Sequence, residues 1–178
     1  MTVRSILLSF VALLCFVAPA AAEKPNPAFA GRIMLSDKRF PLVAKSLAAY
    51  NAQVSKQSKT SFFEDKDKKW KINFAGFLKA PLNDVEYVVK LYELGGRGQQ
   101  LLATIEQFTD SRGQAALISN MVLERKTIGA NKELLMTIEN HGKVLASTKF
   151  KILGEREKFT GKVDFSEDEA NGKAKDDE

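Results

Sequence analysis

Two spacings of apolar residues divide the chain into a helical part and an extended part. In the helical part, apolar residues recur at intervals of four, three and four positions: Val43, Leu47, Tyr50 and Val54. That spacing places them on one face of an α-helix, and Pro41 is compatible with its first turn. The pattern predicts one amphipathic helix over residues 41–56, N-terminal to the strands, with its apolar face packed against the domain.

Beyond residue 61, apolar side chains return at every second position, which is the period of a β-strand with one buried face. Six runs show this period: residues 69–74, 85–92, 101–106, 116–122, 134–138 and 143–152. Residues 31–35 and 159–165 are two further candidates for short strands. The six runs predict an antiparallel sheet system with one face in the core and the other in water.

Turn-forming residues separate the runs. The segment from Asp110 to Gly113 fits a type I turn whose glycine takes the left-handed conformation. Asn140, His141 and Gly142 fit a tight hairpin. Because each run is joined to the next by a short loop, we expect sequential strands to be neighbours in a meander or Greek key, without crossover helices.

Two architectures agree with this order of elements. The first is an antiparallel immunoglobulin-like β-sandwich of six or seven strands with the helix as an N-terminal addition. The second is an α+β fold in which a curved, cystatin-like sheet grips the helix. The hairpin from Leu134 to Leu153 resembles the last two strands of many exported immunoglobulin-like domains. We favour the sandwich, because six strands are more than one helix can cover.

Residues 1–22 have the three parts of a secretory signal peptide in the expected order. Arg4 supplies a positive charge, an apolar run interrupted by Ser9 follows, and small residues precede the cleavage position. The apolar run is too short to span a bilayer, which takes about 20 residues. We therefore expect cleavage after Ala22 and export to a bacterial periplasm or the cell surface.

The single cysteine of the chain, Cys15, lies inside the predicted leader. A lipoprotein signal at Cys15 is disfavoured, because Leu13 and Leu14 precede it where small residues are needed. Without the leader the chain has no thiol, so no disulfide can form within it. Its stability has to come from an ordinary hydrophobic core.

The remaining residues are enough for one domain. We expect a linker over residues 23–34, the helix and β-sandwich over 35–165, and a disordered acidic tail over 166–178. Charge is divided unevenly: residues 23–153 hold 21 bases and 13 acids, whereas residues 154–178 hold five bases and nine acids. The folded part is therefore basic and the end of the chain acidic.

The sequence has no pattern typical of a catalytic or metal site. Its one histidine, His141, is explained by the hairpin turn, so a nucleophile would lack the usual base, and zinc would lack ligands. Lysines within the acidic segment 64–69 would repel a calcium ion. Glycoside hydrolysis needs a pair of carboxylates in a cleft. Glu86 and Glu106 instead fall on strand faces that we expect to be exposed to water. We expect no enzymatic activity, no cofactor and no metal.

Aromatic residues near the junction of helix and sheet form the candidate interaction patch: Phe62, Phe63, Trp70 and Phe77. Their spacing is compatible with packing in the core and with exposure as a recognition patch. Lysines surround them, but interleaved acids dilute that charge, and exported proteins rarely meet nucleic acid. We therefore expect no nucleic-acid partner.

These features favour an exported, non-enzymatic envelope or surface protein that binds another protein or an envelope polymer through a sheet edge. Peripheral contact with a membrane is compatible with the same features. One alternative is an enzyme inhibitor. Another is an enzyme that acts on envelope polymers and whose catalytic residues leave only a weak signal in the sequence. A carrier of a small ligand, with an enclosed apolar cavity, is a further alternative.

The leader gives a direct prediction. When the full-length chain is expressed in a Gram-negative host, mass spectrometry of the exported product should find an N-terminus at Glu23, because Ala20 and Ala22 fit the small-residue positions of signal peptidase. A variant with Ala20→Arg should accumulate with its leader attached. A product that keeps Met1 in the native sequence would contradict the prediction.

Overall fold

The computed structural model describes residues 24, 26–95 and 98–156, which form eight β-strands and two α-helices. The strands are β1 Arg32–Ser36, β2 Ser61–Phe63, β3 Lys69–Phe77, β4 Glu86–Gly95, β5 Gly98–Phe108, β6 Ala116–Glu124, β7 Lys132–Asn140 and β8 Lys143–Leu153. The helices are α1 Leu47–Gln57 and α2 Arg125–Ile128. The six strand runs predicted from the alternating pattern are all strands, β3 to β8, and the short strand predicted at residues 31–35 corresponds to β1.

These strands belong to one sheet in the order β5-β4-β7-β8-β1-β3-β6, with β2 attached to β8. The pairs within β5-β4-β7-β8 and within β1-β3-β6 are antiparallel. In contrast, β1 and β2 both pair with β8 in parallel. The pairing of β1 with β8 consists of Arg32 and Ser147 alone, so a short parallel junction joins two antiparallel halves.

The sheet curls until its two halves face each other across a shared interior. A Cβ atom at Gly76 on β3 would lie 2.2 Å from Cδ1 of Ile138 on β7. Because β3 and β7 are not neighbours in the sheet, this contact crosses the interior. Trp70 on β3 bonds directly to β8, since its Nε1 donates a hydrogen bond of 2.9 Å to the carbonyl oxygen of Leu153. The result is a curled, mixed sheet in the form of a half-barrel.

The interior is filled by alternate residues of the strands, as the period of two requires. One apolar cluster includes residues from β1 to β4 and from β6 to β8. Its fully buried members of largest volume include Trp70, Phe74, Phe150, Ile33 and Ile72. Three residues of β5, Leu102, Ala103 and Ile105, pack against this cluster while remaining partly exposed.

A second, smaller cluster lies on the outer face of β1 and β3, where α1 packs. Its buried members are Phe29, Phe40, Val54, Ala75 and Phe77. The ring of Phe77 lies 5.0 Å from the ring of Phe29 and 6.2 Å, edge-on, from that of Tyr50. These contacts hold the helix outside the curl.

The predicted mostly β class is confirmed, but the described strands do not form an antiparallel immunoglobulin-like sandwich, because one curled, mixed sheet takes the place of two packed sheets. The alternating pattern requires only that one face of each strand be buried. Both a second sheet and the far side of the same sheet can bury that face. The pairing of distant strands, such as β3 with β6 and β4 with β7, determines which of the two occurs.

The predicted helix also differs from α1. The observed helix α1 begins at Leu47 and not at residue 41, and it follows the strand β1 in the chain. Ser46 ends the preceding loop as the N-cap, since its side chain accepts a hydrogen bond of 3.2 Å from the backbone N–H of Ala49. Of the four residues in the predicted apolar stripe, Val54 is buried and Tyr50 half-buried, whereas Val43 and Leu47 are exposed.

The turn predictions hold at the level of the backbone. His141 and Gly142 have φ values of 48° and 75°, as a tight hairpin between β7 and β8 requires, and Gly113 has a φ of 84°. The expected adjacency of sequential strands is wrong in part. The turn at Gly113 joins β5 to β6, which lie at opposite ends of the sheet order, because the chain crosses there from one end of the curled sheet to the other.

Several predicted segments lie outside the described residues: the leader 1–22, the strand candidate 159–165 and the acidic tail 166–178. Most of the predicted linker 23–34 is described, and its last residues belong to β1. Within the part of the chain that the structure describes, no helix has the length and apolar character needed to cross a bilayer.

A nearly buried ion pair connects β4 to β7 on the outer face of the sheet. The side chain of Glu139 is only 8% exposed, and its Oε2 accepts a hydrogen bond of 2.7 Å from Lys90 Nζ. Its Oε1 accepts one of 2.8 Å from Thr137 Oγ1. Burial raises the pKa of Glu139, but the bonds from Lys90 and Thr137 outweigh burial and hold that pKa below 4.5. The hydrogen bond with Glu139 also raises the pKa of Lys90 above 10.5.

The contact across the interior can be tested with a double-mutant cycle. Gly76→Ala should lower the free energy of unfolding by about 1–3 kcal/mol, because the new methyl group overlaps Ile138 Cδ1. Ile138→Val removes that atom and by itself should cost about 0.5–1.5 kcal/mol. In the double variant the loss should be smaller than the sum of the two, as measured by urea denaturation. Strictly additive losses would show that the halves are not in contact here.

The ion pair predicts a defined pH dependence. Because the pKa of Glu139 is lowered on folding, its stabilisation should be complete above about pH 4.5 and should disappear as the pH falls through the lowered value. Glu139→Gln should therefore cost about 1–2 kcal/mol at neutral pH, and its difference from the native chain should vanish in acid. Glu133→Gln, on an exposed residue of the same strand, is the control. Equal stability of the two variants at pH 7 would refute the assignment.

Candidate functional site

The strand β6 ends the sheet, and among the described residues it pairs with β3 and with no other strand. Its residues alternate between the buried Leu117, Met121 and Leu123 and an outer row. In that outer row Ile118 is 37% exposed and Val122 is 51% exposed. An edge strand that carries exposed aliphatic side chains is a surface on which another chain can pair.

The register of β6 shows which of its backbone groups lie on the open side. The N–H of Leu78 donates to the carbonyl of Ala115, and the N–H of Arg125 donates to the carbonyl of Lys68. Both bonds involve odd-numbered residues that directly flank β6, and the register between them is continuous. Because antiparallel bonding alternates along a strand, the even-numbered residues direct their backbone groups away from β3. These residues are Ile118, Asn120 and Val122.

An open groove follows the outer face of β6, and we call it the β6 groove. It consists of two hollows, of about 420 Å³ at the Ala116 end and about 320 Å³ at the Val122 end. Ala116, Ile118, Asn120 and Val122 of β6 line it together with Lys71, Asn73 and Phe77 of β3, and residues between Asp37 and Leu47 border it. At about 3.3 Å per residue, this length of β6 extends over about 20 Å.

The hollow at the Ala116 end is largely apolar. The side chains that line it include Leu42, Val43, Leu47, Tyr50, Ala116 and Ile118. Leu42 is 80% exposed and Val43 is 85% exposed, so two adjacent aliphatic side chains stand almost fully in water. Exposure of this kind is uncommon away from interaction surfaces.

The local sequence explains why Leu42 and Val43 are exposed. Phe40, just before them, is buried in the cluster beneath α1, and Ser46, just after them, caps that helix. Both ends of the short connecting segment are therefore fixed, and its middle lies over the sheet without entering the core. Sequence reasoning missed this site because it placed Val43 on the buried face of a longer helix. The signal that could have revealed it is a serine cap following two aliphatic residues.

The hollow at the Val122 end contains basic side chains. Arg39 and Lys71 line it together with Asp37, Asn73 and Asn120. The pKa of Asp37 is lowered, chiefly by its hydrogen bond with Lys59, so the carboxylate is already paired. Arg39 makes no ion pair with any described residue. The β6 groove therefore changes along its length from apolar to basic.

The aromatic residues proposed from sequence as an interaction patch do not lie together at the surface. Trp70 and Phe77 are almost fully buried, the latter beneath α1, and Phe62 packs edge-on against Phe150 at 6.0 Å. Only Phe63 is exposed, at 43%, and the guanidinium of Arg156 lies 4.7 Å from its ring centroid. A role for this patch in binding remains a prediction, and Phe63 is the member that a partner could reach directly.

Residues considered for chemistry are dispersed. His141 lies in its hairpin turn with Nε2 3.1 Å from Asp84 Oδ2. Glu86 and Glu106 are exposed on β4 and β5. Glu64 pairs with Arg125 at 2.8 Å. In the described ranges no three acidic, histidine or cysteine side chains are grouped closely enough to hold a metal ion.

No protein-family profile matches the sequence, and no curated protein shows significant similarity to it.

Proposed function

We propose that this chain is an exported, non-enzymatic binding protein whose β6 groove holds an extended segment of another polypeptide. The observation that carries the proposal is the coincidence of a strand edge that no other described strand pairs with and an exposed apolar hollow along the same strand. Export is supported by the features of residues 1–22. The absence of catalysis is supported by a chain with one histidine and, beyond the leader, no cysteine.

The backbone of β6 favours a polypeptide over other occupants. The N–H and C=O groups of Ile118, Asn120 and Val122 point to the open side, where an added strand would bond them in a ladder. Neither a lipid tail nor a small apolar ligand could satisfy both kinds of group in alternation. Main-chain bonds would provide affinity, and the side-chain hollows would provide specificity.

The side chains of the β6 groove define what the bound segment should contain. Its apolar end would take aliphatic or aromatic side chains, and covering residues of the size of Leu42 and Val43 contributes about 1.5–3 kcal/mol each. Its basic end, with Arg39 and Lys71, would favour an acidic side chain. Residues 116–122 provide room for a segment of about six residues. The expected ligand is therefore an extended strand with apolar residues at one end and an acid at the other.

The proposal can be tested with an unbiased library of displayed decapeptides selected against the mature chain. Selected peptides should alternate apolar and polar residues. Val43→Asp should weaken their binding about tenfold or more, which corresponds to about 1.4 kcal/mol. Val144→Asp is the matched control, because Val144 is an exposed valine on β8, away from the β6 groove. Isothermal titration calorimetry measures both.

The strand edge has its own test. Asn120→Pro removes an outward N–H without removing a bond to β3, and should weaken peptide binding about fivefold, in line with the loss of about one hydrogen bond. Asn120→Ala removes the side chain and keeps the N–H, so it should bind nearly as the native chain does. If neither Asn120→Pro nor Val43→Asp weakens the binding of the selected peptides, the proposal is refuted. If no peptide is selected, but the chain binds lipid vesicles and Val43→Asp abolishes that binding, the partner would be a membrane and not a polypeptide.

A further inference from the structure

A basic surface overlaps the Val122 end of the β6 groove. Its cationic residues are Lys38, Arg39, Lys56, Lys59, Lys71 and Arg156, which line three hollows that share Asp37. Two acids lie among them: Asp37 pairs with Lys59, and Asp65 pairs with Lys71 at 3.2 Å. Six bases against two acids leave this basic surface with a formal charge of +4.

The charge of the basic surface is largely uncompensated. Lys38, Arg39 and Lys56 make no ion pair with any described residue. From residue 38 to residue 63 the sequence has five bases and no acid. Lys56 does complement the C-terminal end of the α1 dipole, but Lys38 and Arg39 precede that helix and have no such role. An anionic group is therefore the complementary occupant of the basic surface.

The chain itself supplies an anionic segment at this position. Arg156, the last residue that the structure describes, lines the same hollow as Lys59 and Lys71. The sequence continues with nine residues, 157–165, which include the strand candidate 159–165 and form the spacer to residues 166–178, which hold six acids and two bases. Fully extended, the spacer covers at most about 30 Å. The acidic residues therefore begin within reach of the basic surface, and their net charge of −4 matches its +4.

We propose that the acidic residues 166–178 bind the basic surface of the same molecule and exclude other polyanions from it. Attachment through a short spacer gives the acidic segment an effective concentration in the millimolar range, so even weak contacts suffice. The contacts are electrostatic and should be screened by salt, since the Debye length falls to about 3 Å at 1 M. This inference goes beyond the proposed function, because it needs no partner in the β6 groove.

Zero-length carbodiimide cross-linking of the mature chain tests the contact directly. At low ionic strength, mass spectrometry should find cross-links from acids of residues 166–178 to Lys38 and Lys56. The lysines Lys126, Lys143 and Lys149 are exposed on other elements and serve as internal controls. Cross-links should be lost at about 1 M NaCl. Equal yields at both sets of lysines, or links that join two chains, would overturn the proposal.

Competition for a polyanion gives a second test. A full-length variant with its tail acids neutralised (Glu167→Gln, Asp168→Asn, Glu169→Gln, Asp176→Asn, Asp177→Asn and Glu178→Gln) should bind inorganic polyphosphate about tenfold more tightly than the native chain, because the effective concentration of the competing segment is lost. Unchanged affinity would refute the competition.

A charge-matched pair of triple variants separates the basic surface from net charge. The gain in polyphosphate affinity should disappear when Lys38→Gln, Arg39→Gln and Lys56→Gln are added. It should persist with Lys126→Gln, Lys143→Gln and Lys149→Gln, which remove the same charge elsewhere. A gain that depends equally on both sets would reflect net charge alone and would overturn the proposal. None of these outcomes depends on peptide binding in the β6 groove, so the two proposals fail separately.

Discussion

A sheet that must bury one apolar face against itself has to curl, and the rest of this structure depends on how that curl closes. The two halves meet through the short parallel junction of β1 with β8 and through contacts across the interior. Gly76 matters because a side chain there would displace Ile138, and Trp70 matters because it bonds to the far end of β8. The core is therefore continuous through the two halves, and the described strands include no second sheet that covers it.

A curled sheet whose terminal strands do not pair with each other has two edges. Among the described strands these are β5 and β6, and they differ in exposure. The inner faces of β5 and β6 approach one another where Ser119 Oγ donates to Gln107 Oε1 at 2.8 Å. β5 remains partly exposed along its inner side, whereas β6 is fully packed inside and exposes aliphatic residues outside. The helix α1, fixed by Val54, positions the exposed Leu42 and Val43 beside β6. Its location outside the curl is thus what turns an ordinary edge into a groove.

Charge adds a second level of organisation to the same region. The loop before α1 and the end of that helix supply Lys38, Arg39 and Lys56, which make no ion pair with any described residue, so the basic surface begins where the apolar hollow ends. Elsewhere in the described residues some charges are compensated by ion pairs, as in the pairs of Glu139 with Lys90 and of Glu93 with Lys132. A surface with spare positive charge beside an open strand edge is suited to recognising extended acidic segments, whether from a partner or from the chain itself.

The sequence by itself determined the strands, because alternation and turn chemistry are local: β3 to β8 and the left-handed turn residues His141 and Gly113 were predictable one segment at a time. It did not determine their pairing, because the same buried face can meet a second sheet or its own far side. The helix was misplaced for a related reason, since Val43 continues a helical spacing but Ser46 caps the helix after it. Only the tertiary structure left Leu42 and Val43 exposed next to the edge of β6, and so only it could reveal the β6 groove.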